Sequence, residues 1–129
     1  MSAFVATLLP MLVLDGIWLG LVARDFYRRH LGFLMADQVN WGAAALFYAL
    51  YAVGLTVFVT LPSVDDGDAA AALWRGALFG LVAYATYDLT NQATLQGWPT
   101  IVTVVDLAWG MALSAAVGAI ATYAVLRSS

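Results

Sequence analysis

The chain has no cysteine and no lysine, only one histidine, and few charges of either sign. Each shortage removes a class of chemistry. Without cysteine there is no disulfide, no thiol nucleophile and no iron–sulfur ligand. All five basic residues are arginine, which excludes a lysine Schiff base to retinal or pyridoxal phosphate. His30 alone cannot build a bis-histidine haem or zinc site within one chain. With only oxygen donors left, no metal centre and no cofactor is expected. A Mg2+ held by two aspartates and a lipid phosphate is the weakest reading, because tight D-D-x-x-D clustering is missing. Charged residues make up 10% of the chain, against roughly 25% in soluble domains. No basic patch is large enough for nucleic acid.

What is present is apolar. Of 129 residues, 64% are hydrophobic, and the mean hydropathy is +0.88. Apolar runs near 20 residues mark membrane helices. They fall at about 3–23, 41–61, 70–91 and 100–126. The expected fold is an all-α polytopic membrane protein, with residues 1–129 forming one compact bundle of four transmembrane helices. The N-terminus lacks a basic region, so the first run reads as a retained span, not a signal peptide. Asn40 suits the N-cap of the second span, Pro62 is expected to end it, and Pro99-Thr100 starts the fourth.

The connection at 24–40 mixes Phe26, Tyr27, His30, Leu31, Phe33 and Leu34 with Arg24, Arg28 and Arg29. It reads as a short amphipathic segment on the membrane surface. The arginines there are a topology signal or a lipid-headgroup site. By the positive-inside rule they place this connection in the cytoplasm and both termini outside, with Arg75 and Arg127 opposing. Trp41 and Trp98 read as interfacial anchors.

Asp15, Asp88 and Asp106 stand inside the apolar runs. A carboxylate at a membrane helix centre costs at least ~2.5–3.5 kcal/mol, and such residues tend to mark function. Counting along the expected spans puts all three in the cytoplasmic half of the bilayer. On the third span, Tyr84, Tyr87, Asp88 and Asn91 recur at helical spacing. On the fourth, Thr103, Asp106, Gly110 and Ser114 form a small and polar stripe. On the second, Trp41, Tyr48 and Tyr51 share a side. The pattern Asp-x-x-Trp occurs twice, as Asp15/Trp18 and Asp106/Trp109. A tryptophan N–H one turn away can bond the carboxylate or cap a ligand. Burial alone would account for most of the tyrosines.

The segment Tyr84-Ala-Thr-Tyr87-Asp88-Leu-Thr90-Asn91-Gln-Ala-Thr94-Leu-Gln-Gly97-Trp98-Pro99, with Val104-Val105-Asp106-Leu-Ala-Trp109-Gly110, resembles the DUF2177 family. Leu14-Asp15-Gly-Ile-Trp18-Leu-Gly20, Phe26-Tyr27-Arg28-Arg29 and Leu73-Trp74-Arg75-Gly76 match its pattern too. The resemblance covers nearly the whole chain. It implies a four-span protein of the bacterial inner membrane and no particular activity.

The leading expectation is a buried polar site that binds or modifies a membrane lipid or other apolar small molecule. Asp15, Asp88 and Asp106 are its acid–base candidates. Trp18, Tyr84, Tyr87, Asn91, Thr103 and Trp109 are candidate ligand contacts. A second reading is a proton-coupled carrier of a small amphiphile acting as a homodimer, since four helices are few for a transporter. A third is a non-catalytic accessory subunit whose polar layer only locks helix packing in a membrane complex.

Overall fold

A computed structural model describes residues 2–128; Met1 and Ser129, the ends of the expected 1–129 domain, lie outside the described residues. The described residues form five helices and no strand. Helix α1 spans Ala3–Val22, α2 Arg24–Leu31, α3 Trp41–Asp65, α4 Ala71–Thr94 and α5 Thr100–Arg127. Three of them, α1, α3 and α5, are long and apolar enough to cross a membrane. Helix α4 is long enough at 24 residues. Arg75, Asp88, Asn91 and Gln92 within it lower its hydropathy, so composition supports three spans where four were expected.

Asn40 caps α3, its side chain accepting from the Ala43 N–H at 3.0 Å. Pro62 does not end α3, contrary to the expectation. Residues Thr56–Thr60 form a wide π-helical turn just before it, and the helix resumes at Leu61–Asp65. Proline breaks a helix by lacking an N–H and by clashing with the carbonyl one turn back. At the start of a fresh segment neither cost is large. Helix α1 also ends in a π-helical turn, Trp18–Val22. The connection after it is the short helix α2 and a 3-10 turn at Gly32–Leu34, followed by irregular chain to Asn40.

The core gathers Met11, Tyr51, Leu55, Val59, Ala72, Leu113 and Val117. Leu9, Val13 and Ile17 on α1, Leu50 and Phe58 on α3 and Ile120 on α5 face outward. An apolar exterior around a partly polar interior suits a bilayer and would be insoluble in water. Thr7 meets Thr60 across α1 and α3 at 2.9 Å, and Tyr51 meets Ser114 across α3 and α5 at 2.6 Å. At the end opposite α2, Arg75 on α4 bonds Asp66 at 2.7 Å and Ser63 at 3.0 Å.

Helices α4 and α5 make the most intimate contact. Gly76 and Gly80, one turn apart on α4, face Ser114 and Gly110 on α5. A Cβ added at Gly80 would sit 2.0 Å from the Gly110 carbonyl oxygen, and one at Gly76 would sit 2.3 Å from that of Ser114. Small residues four apart let helix backbones approach in this way. Gly80→Val is expected to destabilise the protein by about 1–3 kcal/mol or more, because the backbones must part. Gly16→Ala, where no atom lies within 4 Å of the new methyl, is expected to be neutral. Thermal unfolding of both variants in the same detergent checks this.

Candidate functional site

The antiparallel pairing of α1 with α5 brings the two Asp-x-x-Trp motifs together. The Trp18 and Trp109 rings stack at 4.4 Å with only 8° between their planes. Neither tryptophan serves the aspartate of its own helix. Trp109 Nε1 donates to Asp15 Oδ1 at 3.1 Å, across from α5 to α1. Trp18 Nε1 donates to the Tyr27 hydroxyl at 3.2 Å, and that hydroxyl donates to Asp106 Oδ1. The second oxygen of Asp15 accepts from the Tyr48 hydroxyl on α3. The expected one-turn tryptophan–carboxylate pairing is thus replaced by an exchange between helices.

Asp15 and Asp106 are buried, and Asp88 is fully so. The three occupy one end of the bundle but do not converge on a point. Among the described residues no group of three or more His, Cys, Asp or Glu side chains is arranged to hold a metal. Asp88 faces the Asp106 carboxyl across α4 and α5. Neither of its oxygens has a donor from the rest of the protein. Two carboxyls bond one another only through a proton, or accept together from a cation. Among the described residues no arginine pairs with any of these three aspartates; the ion pair that does form is Arg75–Asp66, at the other end.

A cavity of about 850 Å³ lies against this cluster. It fills the wedge left where α3 leans away from α4: the two touch where Gly54 meets Phe79, and separate toward the carboxyl end. Asp15 and Trp18 from α1, Tyr48 and Tyr51 from α3, Tyr84 and Tyr87 from α4, and Asp106 and Trp109 from α5 line it. Helix α2 closes one side with Arg24, Tyr27, Arg28 and Leu31, a single face at i, i+3, i+4 and i+7. Met35, Val39, Phe47 and Tyr87 are cavity wall and outer surface at once, so the wedge is open to the outside there. Burial, and then the bond to Asp106, push the Tyr27 phenol well above the ordinary tyrosine range. It therefore stays a donor, tying α2 to α5.

Not every expected site residue reaches the cavity. Asp88, Asn91, Thr103 and Arg29 are not on its wall. The Thr103 hydroxyl is committed elsewhere: it accepts from Trp98 Nε1 at 3.0 Å and donates to Gln92 Oε1 at 2.9 Å. Gln92 Nε2 closes the ring on the Trp98 carbonyl at 3.3 Å. Trp98 is accordingly buried, where an interfacial anchor was expected; Trp41, the other one, is 75% exposed. The positions that sequence reading passed over are Tyr27 and Tyr48. Each was visible as a hydroxyl-bearing aromatic in an otherwise apolar or basic stretch, but its partner lies 79 or 33 residues away.

Fold and site together define a helical membrane protein with a carboxyl- and phenol-lined internal cavity. The chain belongs to the family described as a predicted membrane protein, DUF2177, whose model matches residues 1–123. No curated protein and no solved structure matches it.

Removing either phenol is expected to strand a buried acceptor. Tyr48→Phe should cost about 1–3 kcal/mol, and Tyr27→Phe a similar amount. A double-mutant cycle on Trp18 and Trp109 should give a coupling of about 0.5–1.5 kcal/mol from the stack. Denaturant unfolding in detergent micelles measures all of these.

Proposed function

We propose that this chain is a multi-pass protein of the bacterial inner membrane that binds an amphiphile in its wedge and modifies it by acid–base chemistry. On this reading α4 is the fourth span of the bundle. The carboxyl end lies in the cytoplasmic leaflet, and both termini lie outside, because the α2 arginines stay with the cytoplasm. The observation that carries the proposal is the open cavity itself. Apolar and aromatic side chains line it, together with two carboxyls, Asp15 and Asp106, and two arginines, Arg24 and Arg28. Pockets of a few hundred to about 1,000 Å³ with few convergent polar groups are typical of small-molecule sites.

Asp15 and Asp106 border the cavity and are the acid–base candidates. Asp88 stands behind Asp106 and acts through it. Tyr48 and Trp109 hold Asp15 as an acceptor, so it suits the role of base or anion. Asp106, bonded by one phenol and faced by a second carboxyl, suits proton exchange. Tyr84 and Tyr87 supply hydroxyls along the wall for orienting a guest. Arg24 and Arg28 attract an anionic headgroup.

Two measurements test this. Full-length protein should co-purify with lipid, and Ala44→Trp, which fills the wedge, should retain about tenfold less. Equal retention overturns the binding reading. Incubation with a total membrane lipid extract should alter the lipid profile by mass spectrometry, and Asp106→Asn should abolish the change. If wild type and Asp106→Asn leave identical profiles while Ala44→Trp still loses lipid, the site binds without catalysing.

A further inference from the structure

We propose that the cavity recognises a zwitterionic phosphate–amine headgroup: the phosphate on Arg24 and Arg28, and the primary ammonium between Asp15 and Asp106. The inference rests on the binding reading above and names the chemistry of the guest.

Buried carboxyls are ordinarily paired with a cation or a metal. Here Asp15, Asp88 and Asp106 have no cationic partner among the described residues, and both Asp88 oxygens lack a donor. A proton shared with Asp106 answers Asp88, which leaves Asp15 and Asp106, the two on the cavity wall, without a counter-charge. A cation entering from the cavity meets Asp15 and Asp106 directly, since both border it. Asp15 already accepts one bond on each oxygen, and a carboxylate offers about four lone-pair sites, so acceptor capacity remains. The walls around that position are aromatic: the stacked Trp18 and Trp109, with Tyr48 and Tyr84. Aromatic faces attract ammonium ions, most strongly where water is excluded. An ammonium with N–H donors suits the carboxyls better than a quaternary one, which has none to give.

The phosphate follows from α2. Arg24, Tyr27 and Arg28 share one face of it, and the Tyr27 hydroxyl reaches Asp106. The two arginines and the two carboxyls thus line one and the same cavity. A ligand satisfying both must carry its negative and positive charges a short tether apart. Among the described residues neither arginine forms an ion pair. The apolar remainder of such a ligand leaves through the opening beside Phe47.

The test uses delipidated full-length protein in detergent, offered an equimolar mixture of diacyl phosphoethanolamine, phosphocholine and phosphoglycerol with identical acyl chains. Native mass spectrometry reads the lipid bound. Wild type is expected to hold phosphoethanolamine about ten- to hundredfold more strongly than phosphoglycerol, the worth of a charge-assisted hydrogen bond or two. Asp15→Asn, which removes the charge but keeps one acceptor oxygen, should lose that preference while still binding lipid. Arg24→Gln/Arg28→Gln, at exposed positions that do not threaten folding, should weaken all three lipids alike. Equal binding of the three lipids by wild type overturns the inference and leaves the binding reading standing. Binding of none overturns both. A competition arm with water-soluble phosphoethanolamine names the source. Displacement at matched concentration assigns the site to a free amine phosphate, and retention assigns it to the lipid; either result keeps the headgroup chemistry.

Discussion

The organisation of the site depends on one exchange, in which the tryptophan of each Asp-x-x-Trp motif supports the other helix's aspartate. Trp109 serves Asp15 directly, and Trp18 serves Asp106 through Tyr27. The two indoles lie flat on one another between these bonds. A hydrocarbon surrounding offers no water to satisfy a stray N–H or carboxyl, so each polar group must find its partner within the protein. The exchange meets that demand for five polar side chains at once. It also fixes the antiparallel register of α1 on α5, since a slip of one residue would separate every pair.

The glycine contact between α4 and α5 supplies the complementary constraint. Backbones that touch at Gly80 and Gly110 leave no freedom in how this hairpin packs. Helix α3 then has to cover two partners at different separations. It packs closely at the Val59 end, where Gly118 and Ala72 meet it. It stands away at the Tyr48 end, where tyrosine rings on α3 and α4 keep the helices apart. The cavity is thus a result of residue size, small at one end of the bundle and aromatic at the other.

Much of this was readable from residue order. The apolar runs located α1, α3 and α5 to within a few residues, and Asn40 and Pro99 marked real helix starts. The three costly aspartates share one end of the bundle. What was not readable is physical in origin. Pro62 reads as a terminus because proline rules presume a regular α-helix, and the π-helical turn at Thr56–Thr60 changes that premise. Hydropathy alone does not place α4 among the membrane spans, because it averages buried polar side chains with lipid-facing ones. Helical spacing assigned Thr103 and Asn91 to the same faces as Asp106 and Asp88. It carried no information on the Trp98–Gln92 ring that occupies Thr103. The roles of Tyr27 and Tyr48 are not legible because their partners are distant in sequence, and a phenol in an apolar run looks like packing until its acceptor is seen.

On the proposed reading, the opening beside Phe47 and Tyr87 would set the terms on which a lipid guest arrives. A molecule that enters from within the leaflet is drawn from a two-dimensional solution, so its occupancy follows its mole fraction among the surrounding lipids. Its concentration in water is nearly irrelevant. Weak intrinsic affinity then suffices for saturation by an abundant membrane component, and dilution of the cell's aqueous contents leaves the site as full as before.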